Sequence, residues 1–232
     1  MGKAATLEEL FDLVTAMIND SGVHNINMVT PDHFFPHVFH LVERLKKEGY
    51  DLPIVYNLSG YQSVEMVREA ESRADIYLPD YKYSDGKLAA ALSGCGNYPR
   101  IALEAIDEMV RQKGFLNRWG GASSPASRGV LVRHLILPGH IENSLAAVTS
   151  LFVEFGRELP VSLMSQYRPV VPQKYEELNR VITMEEFNVV YQYVQELGFE
   201  NLFVQFPEGN GCGGALNGLF VPDFAREKVF ER

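Results

Sequence analysis

The fold of this chain is decided by two segments, Pro53-Ile54-Val55-Tyr56-Asn57-Leu58-Ser59-Gly60-Tyr61 and Ala74-Asp75-Ile76-Tyr77-Leu78-Pro79-Asp80-Tyr81-Lys82-Tyr83. Each is a short apolar run, rich in β-branched and aromatic residues, that ends in polar groups. This pattern is typical of a buried parallel strand whose carboxyl end opens into a site. A helical segment from Ser63 to Arg73 separates the two runs, so we expect a βαβ unit.

The composition indicates one large globular domain that needs no membrane. The chain has 232 residues, of which 46% are hydrophobic and 22% charged, with a net charge of −9 and a pI of about 5.2. We expect no nucleic-acid partner, because no basic patch stands out. No apolar run reaches the roughly 18 residues that span a bilayer, and the N-terminus lacks a signal-peptide pattern. Two distant cysteines, without a CxxC spacing, favour a cytoplasmic protein over a disulfide framework.

The same alternation of strand and helix continues on both sides of the βαβ unit. Further strands are predicted at residues 24–31, 129–138 and 161–166, and residues 202–205 could add a sixth at an edge. Such alternation implies an α/β fold with a parallel sheet of about five to six strands, curved as a partial or full barrel. We place this domain at residues 1–208 and expect a flexible, glycine-rich tail at residues 209–232.

Polar residues are predicted at the carboxyl end of every strand, where a parallel sheet brings them to one rim. In chain order they are Asn27 and Thr30, then Asn57 and Ser59 with Gly60, then Asp80 with Lys82, Arg133 with His134, and Gln166 with Tyr167.

Charge inside a strand is the most informative feature of this set. Arg133 lies within an otherwise apolar run, and a buried guanidinium needs a carboxylate, a phosphate or a similar acceptor. Asp80 and Lys82 alternate onto one face. Two interpretations stay open: an internal ion-pair network of these three residues, or a polar cradle for the carboxylate and hydroxyls of a ligand.

Three histidines offer a different site. His33, His37 and His40 have a spacing that suggests a metal on one helix face, and together with His134 they would suit a metal-dependent barrel hydrolase. Pro36 argues against this, because proline belongs in the first helical turn and leaves His33 before the helix. We therefore favour structural or surface histidines, and assign no metal ligand.

Five rim segments together resemble one family, the radical S-adenosylmethionine (SAM) proteins similar to pyruvate formate-lyase activating enzyme. They are Asn25–Pro31, Val55–Tyr61, Asp75–Tyr83, Val132–Gly139 and Met164–Tyr167, and the resemblance extends in order from about Gly2 to Gln205. It implies a partial (β/α) barrel that holds a 4Fe-4S cluster and SAM at the strand carboxyl ends. In that family the cluster reductively cleaves SAM to a 5′-deoxyadenosyl radical, which in activases takes hydrogen from a glycine of a protein substrate.

The resemblance also implies roles for the rim residues. Asn27 to Thr30 would contact the SAM amino group, Asn57 and Ser59 with Gly60 would line the ribose and methionine, and Asp80 and Lys82 would lie near the SAM carboxylate. Arg133 would stand beside the ligand, and Gln166 and Tyr167 would approach the adenosine. Asn57 stands where such activating enzymes usually carry an acid, which leaves a cation site there unsupported.

The cysteines depart from the family. Its cluster is held by a Cys-x-x-x-Cys-x-x-Cys loop after the first strand, whereas this chain contains only Cys95 and Cys212. The segment from Gly2 to Glu9 resembles the family's sequence just after that loop, so we expect the first strand and the cluster ligands to lie upstream of Met1. The alternative is a cluster-free module that binds SAM or another small anion at the same rim.

Overall fold

A computed structural model of the chain describes residues 5–117 and 125–207. The chain divides into two compact units, one of residues 23–207 and one of the two terminal segments, 1–22 and 208–232. The predicted tail at residues 209–232 lies outside the described residues, and so does residue 119, the position of the single tryptophan. The predicted domain boundary therefore stays a prediction.

The described part of the terminal unit is one helix, α1 (Leu7–Ser21). Thr6 and Glu9 form a capping box in which each side chain accepts a hydrogen bond from the other's backbone, at 2.8 and 3.1 Å, so that two backbone donors of the first turn are satisfied. Gly22 ends the helix in the left-handed conformation.

Parallel strands form the frame of residues 23–207, as the alternating pattern predicts. One sheet has the order β1 (Ile26–Val29), β2 (Ile54–Leu58), β3 (Ile76–Pro79), β4 (Gly129–Val130), and the other has the order β5 (Val132–Leu135), β6 (Val161–Met164), β7 (Leu202–Val204). Every strand pair in both sheets is parallel. The connecting helices are α2 (Phe35–Lys47), α3 (Val64–Glu69), α4 (Gly86–Ser93), α5 (Tyr98–Lys113), α6 (Ile141–Phe155) and α7 (Met184–Leu197).

The strand expected over residues 129–138 is divided into β4 and β5 because its neighbour changes. Val130 donates its N–H to the carbonyl of Gly114 and accepts from Leu116, both at 3.0 Å, whereas Val132 donates to Pro160 at the start of β6. This segment still forms backbone hydrogen bonds with β3 and the residues after it. Leu131, between β4 and β5, donates to Tyr77 at 3.1 Å, and Tyr81 donates to Arg133 of β5 at 2.8 Å. These hydrogen bonds link the two sheets edge to edge.

Large buried aromatic residues fill the space between the first sheet and its helices. Phe35 of α2 stacks on Tyr56 of β2, and Tyr56 meets Tyr77 of β3 edge to face. The Tyr77 hydroxyl donates to Gln112 of α5 at 2.8 Å, which satisfies a polar atom inside the core. A second apolar cluster around Phe187 joins α7 to the β5–β6–β7 sheet. This packing holds the carboxyl ends of the strands at one rim.

The start of α7 depends on one carboxylate. Glu186 completes a capping box with Thr183, accepts from the backbone N–H of Gly139 at 2.8 Å, and receives two hydrogen bonds from Arg180 at 2.7 Å. The Arg180 guanidinium lowers the pKa of Glu186 to about 2. Because the folded pKa is below the ordinary value, the charged form stabilises the fold above that value, and this stabilisation is lost as the pH falls towards 2.

We expect Glu186→Gln to lower the free energy of unfolding by about 1–2 kcal/mol near neutral pH. The difference between wild type and variant should shrink as the pH falls from about 7 to about 3, since unfolded wild type takes up a proton at Glu186 before the folded protein does. Urea unfolding across this range measures both. Glu185→Gln, at an exposed site in the same turn, is the control and should change little. A difference that stays constant with pH would contradict the role given to the Glu186 charge.

Candidate active site at the strand carboxyl ends

The segment that follows β2 passes very close to the end of β3. Gly60 has a φ of +84°, and a Cβ at this position would lie 1.9 Å from the carbonyl oxygen of Asp80 and 2.8 Å from the Tyr98 hydroxyl. Only a residue without a side chain allows both the backbone conformation and this approach. Gly60 therefore brings the segment after β2 into direct contact with the end of β3.

Tyr98, the first residue of α5, secures this contact. Its buried hydroxyl accepts from the Lys82 N–H at 3.0 Å and faces the carbonyl oxygens of Ser59 and Asp80 at 3.0 and 2.8 Å. The ring also stacks on Tyr61. Burial raises the pKa of Tyr98, so its hydroxyl keeps the proton that it donates.

Three charged side chains meet beside this contact. Asp80 forms an ion pair with Lys82 and accepts from Arg133 Nε at 2.8 Å and Nη2 at 2.5 Å. The side chains are 14%, 35% and 21% exposed, in the same order, so Asp80 and Arg133 are largely buried and Lys82 is partly exposed. The predicted network of Asp80, Lys82 and Arg133 thus exists, and it combines two cations with one carboxylate.

Helix α6 holds the loop that carries Lys82. Asn143 donates to the carbonyl of Lys82 at 3.0 Å and accepts from the N–H of Ser84 at 3.0 Å. His134 is fully buried, with Nδ1 2.7 Å from the Tyr81 carbonyl and Nε2 2.9 Å from the Ser144 hydroxyl. Burial lowers the pKa of His134, which favours the neutral ring. Both of its nitrogens are occupied by protein atoms, so His134 is a structural residue.

The three histidines considered as a metal site are surface residues. His33 lies in the 3₁₀ turn Pro31–Phe34, and His37 and His40 lie on α2, all with exposed side chains. Within residues 5–117 and 125–207, no three His, Cys, Asp or Glu side chains are gathered as a metal site requires. The histidine arrangement therefore supports no hydrolase metal centre.

The ends of β1 and β2 form the opposite half of the rim. Asn27 and Thr30 are exposed, and Asn57 is half-buried on β2, where its carbonyl accepts from the Thr30 N–H at 2.9 Å. Thr30 has a φ of 50°, and no other non-glycine residue of the described ranges has a positive φ. A β-branched residue is strained in this conformation, and such strain is found at functional turns.

The turn after Thr30 places Asp32 against the segment that follows β2. Gln62 donates through Nε2 to Asp32 Oδ2 at 2.8 Å and to the Ser59 hydroxyl at 3.0 Å. Ser59 thus takes part in both halves of the rim, since its carbonyl faces Tyr98.

Gln166 and Tyr167 lie beyond the end of β6. Gln166 is exposed and contacts Met164 Sδ at 3.8 Å, while the half-buried Tyr167 donates to the Leu178 carbonyl at 2.9 Å. Burial raises the Tyr167 pKa. Among the described residues, one set of direct contacts joins Ser59, Gly60, Asp80, Lys82 and Arg133. A second contact joins Thr30 to Asn57. Gln166 and Tyr167 are joined to neither group by these contacts and lie on the β6 side of the rim.

Sequence reasoning missed the residues that support the rim. Tyr98 was expected only as the start of a helix, and Gln62, Asn143 and Asp32 were given no role. Each forms a hydrogen bond with a residue that is distant in the sequence. Tyr98 bonds to Lys82 across 16 positions, and Asn143 bonds to Lys82 across 61 positions. The only local signal is Gly60, because glycine at a strand end marks a close backbone approach.

We expect Gly60→Ala to lower the free energy of unfolding by about 3 kcal/mol or more, because the new Cβ would overlap a backbone oxygen. The matched control is Gly49→Ala. Gly49 has nearly the same φ, +88°, but nothing within 4 Å of its Cβ position, so only the conformational cost of about 1 kcal/mol applies. Urea unfolding of both variants tests this, and equal losses would contradict the close approach.

Comparisons with known proteins agree on the fold. The chain resembles the crystal structure of a domain of pyruvate-formate lyase-activating enzyme from Bacteroides vulgatus, with a TM-score of 0.52 and 13% identity over 78% of this chain and 99% of that one. It also resembles methylornithine synthase, with a TM-score of 0.52 and 14% identity over 98% of this chain and 69% of that one. The first belongs to the kind of enzyme that the rim segments resemble.

Sequence comparisons add less. No protein-family profile matches the chain. An uncharacterized protein of Methanocaldococcus jannaschii is 23% identical over 180 residues, which cover 77% of this chain. The chain matches about half, 48%, of the length of that curated relative.

Among the described helices, none combines the length and apolar character that crossing a bilayer requires. The structural comparisons together show that the described residues share an α/β fold of parallel strands with an activating-enzyme domain and with methylornithine synthase.

Proposed function

We propose that this chain is a radical SAM activase-like protein that binds S-adenosylmethionine at the rim of a partial (β/α) barrel. One observation carries the proposal: Lys82 and Arg133 share the single carboxylate of Asp80, in a largely buried position at the strand carboxyl ends. The three side chains together keep one positive charge. A ligand carboxylate would complete this cluster, since cations at low solvent exposure favour a matching anion.

The other rim residues suit the remaining parts of the ligand. Asn57 and Ser59 present an amide and a hydroxyl for ribose, beside the backbone of Gly60. Asn27 lies within β1 and Thr30 directly follows it, in the segment where the family contacts the SAM amino group. Gln166 and Tyr167 offer an exposed amide and an aromatic ring for the adenine. Tyr98, Asn143 and His134 act indirectly by fixing the loop that carries Lys82.

We expect Arg133→Ala to weaken SAM binding by at least about tenfold, because the cluster then keeps no excess positive charge for the ligand carboxylate. We expect Asp80→Ala to weaken it as well, because Lys82 and Arg133 lose the shared partner that fixes their positions. Isothermal titration calorimetry with the wild-type chain and both variants measures this. Arg157→Ala is the control: Arg157 is 65% exposed, pairs with Glu200 at 3.0 Å, and lies in the connection between α6 and β6, away from the rim.

The variants must remain folded by circular dichroism for the comparison to count. Unchanged SAM affinity in both folded variants would contradict the assignment of the charge cluster. A wild-type chain that shows no SAM binding would contradict the proposed function itself.

The cysteines of this chain do not fit the family's cluster. Three thiolates are needed, whereas the 232 residues contain two. Cys95 is half-buried in the loop between α4 and α5, and Cys212 lies outside the described residues. The 232 residues therefore do not supply the family's cluster ligands by themselves, and the alternative function is a cluster-free module that binds SAM or another small anion. A protein substrate and a cytoplasmic location remain part of the activase proposal.

We expect anaerobic reconstitution of the 232-residue chain with iron and sulfide to give no brown iron–sulfur absorbance. Thiolates bind iron–sulfur clusters, and two of them leave one cluster position without its ligand. SAM binding without this absorbance would support the binding-module alternative. A stable 4Fe-4S spectrum would contradict it and would require ligands other than three cysteines of this chain.

The reading frame upstream of Met1 decides between the two functions. A Cys-x-x-x-Cys-x-x-Cys segment in frame would favour the activase, and a stop codon directly before Met1 would favour the module.

A further inference from the structure

The connection between β6 and α7, residues 166–182, is closed by its own side chains, and we call it the strap. The Asn179 amide accepts from the backbone N–H of Gln173 at 2.7 Å and donates to the carbonyl of the same residue at 3.0 Å. The Tyr167 hydroxyl donates to the carbonyl of Leu178 at 2.9 Å. Surface loops that are packed by their own side chains in this way are frequently functional.

The strap begins beside the loop that carries Lys82. Leu178 is a buried member of the main apolar cluster, and the rings of Tyr167 and Tyr175 pack against that cluster. Burial, and after it the nearby Tyr83 side chain, raises the pKa of Tyr167. Since Tyr83 directly follows Lys82, the start of the strap lies close to the cation-bearing loop after β3.

The second half of the strap lies against the segment that follows β5. Gly139 has a φ of +77°, and a Cβ at this position would lie 2.7 Å from Cβ and 2.8 Å from Cγ of Glu177, in the 3₁₀ turn Glu176–Asn179. The Gly139 N–H also donates to Glu186 at the start of α7 at 2.8 Å. Gly139 thus brings the strap against the residue that precedes α6, His140.

His140 faces Glu177 across this contact. Its Nε2 atom is buried and has no hydrogen-bond partner among the described residues, although Oε1 of Glu177 is 3.4 Å away. A neutral ring gains little in this position, whereas an imidazolium would attract the carboxylate and donate to it. Turning the ring over would not change this conclusion, because both ring nitrogens share the positive charge.

The charged groups around His140 leave Glu177 as its partner. Arg180 donates twice to Glu186 at 2.7 Å, and the hydrogen bond with Glu186, followed by the nearby charge of Glu177, raises the pKa of Arg180. Glu142 lies two positions along the first turn of α6. In the described part of the chain no lysine or arginine is within ion-pair distance of Glu177. Protonated His140 would supply the missing cation.

We propose that the contact between His140 and Glu177 is a pH-sensitive latch that fastens the strap beside the rim. Histidine side chains gain their charge as the pH falls from about 8 to about 5. The latch is closed when His140 is protonated, and it is released as the pH rises and the proton is lost. Because the strap reaches from the loop of Lys82 to the segment after the strand of Arg133, its release would free the rim at both places.

Trypsin cleavage of the full chain after Lys174 measures the opening of the strap. Lys174 lies in the part that Asn179 closes, so cleavage requires local opening and its rate follows the open population. Mass spectrometry gives the rate at about pH 5.5 and at about pH 8 for wild type, His140→Gln and Glu177→Gln. The ratio of two rates at the same pH removes the pH dependence of trypsin itself.

We expect wild type to be cleaved about five- to tenfold more slowly than either variant near pH 5.5 and at nearly the same rate near pH 8, because only the charged latch holds the strap. Glu176→Gln and His40→Gln, both at exposed sites, are the matched controls and should behave like wild type.

The latch is overturned if the ratio of wild type to His140→Gln is the same at both pH values, or if Glu177→Gln behaves like wild type at both. Circular dichroism establishes that each variant is folded. If His140→Gln does not fold, the ratio of wild type to Glu177→Gln decides by the same criterion.

The latch depends on the proposed function only through the ligand whose access it would control. The cleavage assay contains no ligand, so a wild-type chain that binds no SAM would contradict the proposed function and leave the cleavage ratios unchanged. Wild type that binds SAM but gives pH-independent ratios would contradict the latch alone.

Discussion

The rim depends on the close approach of Gly60 to the carbonyl of Asp80. Beyond the last paired residues of β2 and β3 the two chains stay in contact, because Gly60 has no side chain to separate them and Tyr98 bonds to both backbones. This contact places Ser59 and Asp80 side by side. Loops after strands are commonly mobile, and a site on them is accurate only when other elements restrain it. Here α5 supplies the restraint through Tyr98, α6 through Asn143, and β5 through His134.

Much of the frame was predictable from the sequence because its signals are local. Apolar runs correctly predicted β2, β3, β6 and the edge strand β7. The buried face of α1 is not visible in its apolar pattern: Leu13 and Met17 are more than half exposed, while Phe11 and Thr15 are buried. The division of the 129–138 strand was also missed, because a change of strand partner leaves no mark on the hydrophobic pattern.

The candidate site was predictable only in part, for a related reason. Charges inside apolar strands are visible in the sequence, so Asp80, Lys82 and Arg133 could be identified and their ion pairs anticipated. Side-chain pairs between distant segments have no such signal. Gln62 and Asp32, 30 positions apart, look like ordinary surface polar residues until the turn after β1 brings them together. Only the tertiary structure shows that Asp32 Oδ1 and Gln62 Oε1 have no hydrogen-bond partner among the described residues.

The two halves of the rim have opposite chemical character. The half at the ends of β1 and β2 presents acceptors, through Asp32 and Gln62, and the half at the ends of β3 and β5 presents an excess of cations, through Lys82 and Arg133. A ligand that carries both an ammonium and a carboxylate group would be held in one orientation, because reversing it would oppose like charges on both sides. This arrangement uses no cysteine. If the rim binds an amino-acid group, as we propose, that binding would not depend on the three thiolates that the family's redox chemistry requires.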